Sequence, residues 1–161
     1  KNLNYNIGFL AQRRCITKLT IMMDFQGRWQ FLSTSPKIVV DIAHNPAGIR
    51  EVVKMIEQTK HNNLHIVFGC VNDKDVNNML NILPVNAEYY FCKPNVPRGM
   101  DIESLSSLAK KYNLKGKTYF SVEEALKNAK KNAESDDLIV VCGSTFVVAE
   151  VLENKPDNEP E

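Results

Sequence analysis

Ile38-Val39-Val40-Asp41-Ile42-Ala43-His44-Asn45-Pro46 compresses a strand, a polar loop and a helix start into one short stretch. Three β-branched residues favour extended backbone. Asn45 supplies a capping side chain, and Pro46 brings a φ already set for a first helical turn that needs no N–H. Beyond them Ile49, Val52, Val53 and Ile56 recur at the spacing of one helix face. A strand running straight into an amphipathic helix is the first half of a parallel crossover.

The pattern repeats downstream. Residues 64–68, 89–92, 118–120 and 138–142 read as further strands, most of them flanked by Gly, Pro, Asn or Asp. Between them lie three helical stripes: Val76, Met79, Leu80 and Leu83; Ile102, Leu105, Leu108, Ala109 and Tyr112; and Val122, Ala125, Leu126 and Ala129. Ser121 and Glu124 form a capping box ahead of the third. A final short helix is expected over residues 145–152. The alternation predicts an α/β domain with a mostly parallel sheet flanked by helices. Upstream, apolar runs at 15–23 and 28–32, separated by Asp24-Phe25-Gln26-Gly27, predict an antiparallel hairpin at one sheet edge. Residues 1–12 read as a linker from a preceding domain, 13–152 as one domain and 153–161 as a polar, flexible tail. A chain that starts at Lys1 is expected to be a piece of a longer polypeptide.

Bulk properties narrow the function classes. With 161 residues, 43% of them hydrophobic, the chain can bury one substantial core. Its formal charge of +1 gives no long-range field to hold a nucleic acid. No apolar run approaches the ~20 residues that span a bilayer, so no membrane role is expected and a cytoplasmic monomer is the default. Cys15, Cys70, Cys92 and Cys142 lie far apart without a C-x-x-C pair and read as reduced thiols.

In an open parallel sheet ligands sit outside the carboxyl ends of the strands. Three such loops carry chemistry: Asp41 to Pro46, Gly69 to Asp75, and Gly143-Ser144-Thr145. Asp41 and His44 suit hydroxyl or carboxylate groups of a ligand, but equally a turn tie and a surface histidine. Gly143-Ser144 opens backbone N–H groups to an anion, or is simply a tight turn. Asp73 suits the cap of the next helix, and Lys74 adds a cation beside it. Arg98 lies on the proline-stiffened loop Pro94-Asn95-Val96-Pro97-Arg98-Gly99 and suits a carboxylate or phosphate. Trp29 and Phe31 read as core or edge cover. Gly116-Lys117-Thr118 imitates the end of a phosphate loop, but Lys111 stands where its first glycine belongs. No G-x-G-x-x-G occurs. His44, His61 and His65 lack metal-ligand spacing and read as adventitious, so no metal site is expected.

Five segments taken in order resemble a known series: Phe25 to Gln30, Asp41 to Pro46, Phe68-Gly69 with Asp73-Lys74-Asp75, Pro97-Arg98-Gly99, and Gly143-Ser144-Thr145-Phe146. They resemble the C-terminal domain of folylpolyglutamate synthase/dihydrofolate synthase, in the Mur ligase superfamily. The resemblance implies a three-layer, Rossmann-like fold and an ATP-dependent ligase. In such a ligase ATP phosphorylates a folate carboxylate, and the amine of L-glutamate attacks the acyl phosphate. It implies that a preceding P-loop ATPase domain of the same polypeptide supplies the phosphate loop and the Mg2+ ligands. This part alone would then be inactive and hold no cofactor tightly. By resemblance, Arg28 and Asp41 are ATP contacts, with Asp41 on the ribose, and His44 and Ser144 are the catalytic candidates near glutamate and phosphate. Asp73, Lys74 and Arg98 are candidates for orienting glutamate or joining the domains. Ile42 departs from the small residue usual after the Asp. Two alternatives stand beside this reading: a ligase adding an amino acid to a UDP-muramyl peptidoglycan precursor, and a non-catalytic doubly wound ligand-binding module.

Overall fold

The computed structural model describes residues 26–72 and 75–154. The run at 15–23 with Cys15, the linker at 1–12, Asp73, Lys74 and residues 155–161 lie outside them.

Among the described residues six strands form one sheet in the order β1-β2-β6-β3-β4-β5. They are β1 Gln30–Thr34, β2 Lys37–Val40, β3 Leu64–Phe68, β4 Glu88–Cys92, β5 Gly116–Tyr119 and β6 Leu138–Cys142. Of the strand pairs among the described residues only β1 with β2 is antiparallel, Gln30 facing Val40 and Thr34 facing Lys37. One antiparallel pair thus stands at the sheet edge, but β1 makes it with β2, and the run at 15–23 expected to pair with it lies outside the described residues. The fifth strand starts at Gly116, and Phe120, expected inside it, lies beyond its end, 86% exposed.

Alternation along the strands divides the core in two. Val39, Ile66, Phe68, Tyr89, Phe91, Leu138 and Val140 face α1 (Pro46–Gln58), α2 (Val76–Ile82) and α3 (Ile102–Lys111). Ile38, Val40, Val67, Tyr90, Ile139 and Val141 face α4 (Val122–Asn132) and α5 (Thr145–Glu153). β3 and β6 are buried along their full length, as expected of central strands covered on both faces. The sheet is thus the middle of three layers.

Helix starts are set locally. Asn45 Oδ1 accepts from Gly48 N at 2.8 Å with Pro46 in the first turn. Ser121 Oγ accepts from Glu124 N at 3.1 Å, while the Glu124 carboxylate accepts from Phe120 N, one residue earlier than a standard box. At α2 the cap is Asp75, whose carboxylate accepts from Asn78 N, rather than the expected Asp73. The last helix runs one residue past the expected 152, through Glu153.

β6 is the last strand in sequence yet lies between β2 and β3. The helices that follow β2 and β3 cover one face, while the helix that follows β6 covers the other. The sheet therefore has its topological switch at the carboxyl ends of β2, β6 and β3, where an open sheet leaves a crevice.

Candidate functional site

Asp41 leaves β2 with its backbone N–H bonded to Val141 O at 2.9 Å. Both its carboxylate oxygens are engaged: Oδ2 accepts from Trp29 N at 2.8 Å and Oδ1 from Ala43 N at 2.9 Å. Burial pushes the Asp41 carboxyl above its usual value, against the opposing pull of those two N–H groups and the Arg28 charge. Each oxygen keeps acceptor capacity, so the tie and a ligand contact are compatible.

The turn before β1 docks on the same loop. Ile42 N donates to Gly27 O at 2.6 Å, and Gly27 N donates to Gln30 Oε1 at 2.7 Å. Arg28 is exposed between them. His44 sits next along, half-buried, with Nδ1 2.9 Å from Ile42 O. A carbonyl only accepts, so Nδ1 carries the proton and a neutral ring offers Nε2 to a ligand.

Gly143 N donates to Ala43 O at 3.0 Å, joining the β6 turn to the β2 loop. Gly143 has φ +103°, and a Cβ there would lie 2.6 Å from Gly69 O and 2.7 Å from the Phe68 ring. Ser144, 2% exposed, caps α5 by accepting from Phe146 N at 3.2 Å. The Phe146 ring in turn lies 5.1 Å from the Arg98 guanidinium carbon. Arg98 O accepts from Asn72 N at 3.0 Å, and Met100 N donates to Cys70 O at 2.9 Å, so the β4–α3 loop is stitched to the loop leaving β3. Arg28, Asp41, His44, Ser144 and Arg98 are thereby linked, neighbour to neighbour, around one sheet end.

Two features escaped the sequence pattern. Gln30 is part of the site's frame, beside Trp29, which is half-buried against the core as expected. His65 is neither adventitious nor exposed. It lies at the opposite, amino end of the sheet, 4% exposed, with Nδ1 3.1 Å from Tyr90 Oη and Nε2 3.3 Å from Asp137 Oδ2. Asp137, 2% exposed, also accepts from Asn63 N, Asn63 Nδ2 and Glu134 N. Burial works against that carboxylate, but these donors outweigh it and hold its pKa below the usual value. A single His inside an apolar run gives no hint of a partner 72 residues away.

Among the described residues no group of three or more His, Cys, Asp or Glu is placed to hold a metal ion. Cys70, Cys92 and Cys142 are buried free thiols. No helix of the described residues is long and apolar enough to cross a membrane. A groove of about 780 Å³ lies on the face of α4 and α5 over Leu32, Ile38, Leu126 and Val151, away from the loop cluster.

A mostly parallel α/β sheet with polar loops gathered at its switch point defines a domain of the doubly wound class. The chain belongs to the family "Mur ligase, glutamate ligase domain", which matches residues 27–145. It is 38% identical over 125 residues to a probable bifunctional folylpolyglutamate synthase/dihydropteroate synthase of Haloferax volcanii, covering 77% of this chain and 15% of that protein. It is 33% identical to the dihydrofolate synthase/folylpolyglutamate synthase of Escherichia coli K12, covering 79% of this chain and 30% of the relative. The structure of E. coli FolC in complex with DHPP and ADP superposes with a TM-score of 0.71 at 32% identity, over 79% of this chain and 30% of that one. The Yersinia pestis enzyme complexed with AMPPNP and Mn ion gives 0.70 at 30% identity, over 79% of this chain and 30% of that one. The chain thus corresponds to the C-terminal domain of such ligases and spans less than a third of the length of these relatives.

Proposed function

We propose that this chain is the closing domain of an ATP-dependent ligase that adds L-glutamate to a folate carboxylate. Its preceding domain would carry the phosphate loop and the Mg2+ ligands. The observation that carries the reading is the run of hydrogen bonds joining the loops of Arg28, Asp41, His44 and Ser144 at one sheet end. Arg28 is the cation for the nucleotide phosphates or base, and Asp41, with acceptor capacity left, serves the ribose hydroxyls. His44 Nε2 and the α5 start at Ser144 suit the glutamate and phosphate groups. Ser144 acts through the turn it caps, because its hydroxyl is buried and already engaged. Arg98, held against Phe146, is a carboxylate partner or an interdomain contact, and Asp73 and Lys74 are proposed for the same two roles. Bound ATP would activate the carboxylate, with Mg2+ held by the other domain. The expected setting is the cytoplasm.

Trp29 is the chain's one tryptophan and directly follows Arg28, so its fluorescence reports on this loop. Titration with ATP should change its emission with weak affinity, and Arg28→Ala should shift the titration to higher ATP concentrations. The isolated chain should neither hydrolyse ATP nor form an amide bond. Robust ATP hydrolysis by the chain alone, or ATP binding indifferent to Arg28→Ala, would overturn the reading. Assaying the full-length ligase on dihydropteroate and on a UDP-muramyl acceptor separates the folate from the peptidoglycan reaction.

A further inference from the structure

Arg28 stands between two residues in the left-handed backbone region, Gly27 at φ +79° and Trp29 at φ +43°. Glycine tolerates that conformation, but a tryptophan does so only where its surroundings fix it. Both N–H groups flanking Arg28 are fixed by side chains. Trp29 N donates to Asp41 Oδ2 at 2.8 Å, and Gly27 N donates to Gln30 Oε1 at 2.7 Å. The Gly27 carbonyl is taken by Ile42 N at 2.6 Å. Space is closed as well: a Cβ on Gly27 would come within 2.7 Å of Ile42 Cγ2 and 2.9 Å of Val148 Cγ1.

We propose that Gln30 is a positioning residue whose amide oxygen locks the turn that presents Arg28. The inference rests on the reading of Arg28 as a nucleotide contact. A loop arginine must otherwise be ordered when its ligand arrives, which costs affinity, whereas a turn held at both N–H groups is ordered beforehand. The acceptor is also neutral. A carboxylate at the same place would hold the turn equally well but compete with an anionic ligand for the guanidinium.

Two readouts on the 161-residue chain test this. The first is acrylamide quenching of Trp29 without nucleotide. Gln30→Leu, which keeps the bulk and loses the acceptor, should raise quenching, and Gln30→Glu, which keeps the acceptor, should leave it at the parent value. Unchanged quenching in Gln30→Leu overturns the proposal whether or not ATP binds measurably. The second is a double-mutant cycle on ATP affinity. Gln30→Leu should weaken binding about three- to tenfold with Arg28 present, the range for one lost hydrogen bond, and add nothing in an Arg28→Ala background. An equal effect in both backgrounds, or none with Arg28 present, overturns it. If Arg28→Ala itself leaves ATP binding intact, the nucleotide reading fails instead, and the quenching result still decides whether Gln30 holds the turn.

Discussion

Asp137→Asn removes the negative charge from a carboxylate that holds the amino end of the sheet together. Oδ1 accepts from Asn63 N at 2.9 Å and from Asn63 Nδ2 at 3.0 Å, while Oδ2 accepts from Glu134 N at 2.8 Å and lies 3.3 Å from His65 Nε2. An asparagine can keep its oxygen on Asn63, but its amide nitrogen then confronts the Glu134 N–H, donor against donor. A hydrogen bond to a charged group contributes about 1.5–3 kcal/mol, and leaving a buried donor unpaired costs about 1–3 kcal/mol. The two Asn63 bonds persist in the variant, so the lower part of those ranges applies and about 2 kcal/mol of lost stability is expected. The pH dependence has a definite sign. Because the folded carboxyl titrates below its usual 3.8, it stabilises the fold above that pH, and the contribution is lost as pH falls through the lowered folded value. Urea unfolding at pH 7 and at several values below pH 4 measures both. The parent should lose stability on acidification more steeply than Asp137→Asn. A variant within 0.5 kcal/mol of the parent at pH 7, or parallel acid slopes, would refute the argument.

Gly143→Ala should destabilise the domain by about 2–4 kcal/mol, since the new methyl meets Gly69 O and the Phe68 ring in a left-handed backbone; an unchanged thermal midpoint would contradict this. Asn45→Ala should cost about 1 kcal/mol by uncapping α1, read as a lower urea midpoint. Cys70, Cys92 and Cys142 should resist alkylation at pH 8 in the folded chain, because burial pushes the Cys70 thiol up to about 12 and the other two in the same direction. Peptide mapping should find them labelled only after unfolding, and rapid native labelling of any of the three would show that the core is open.

Most element starts were legible from residues alone, because capping and periodicity act over three or four positions. Asn45-Pro46 announces α1, Ser121 announces α4, and the apolar runs announce the parallel strands. The three polar loops were also legible as strand ends, and so was the absence of a phosphate loop. Tertiary structure decided what those loops do together. Placing β6 between β2 and β3 brings Gly143 to Ala43, 100 positions apart, and makes one cluster of separate segments. The Ala43 N–H on Asp41 is a local tie, but the Trp29 N–H on the same carboxylate, 12 positions away, and the pairing of His65 with Asp137, 72 positions away, depend on neighbours brought up by the fold. A residue's own type and nearby spacing specify its local backbone. Which distant donor satisfies its side chain follows only from strand order and register, and these are chosen by burial summed over the whole sheet.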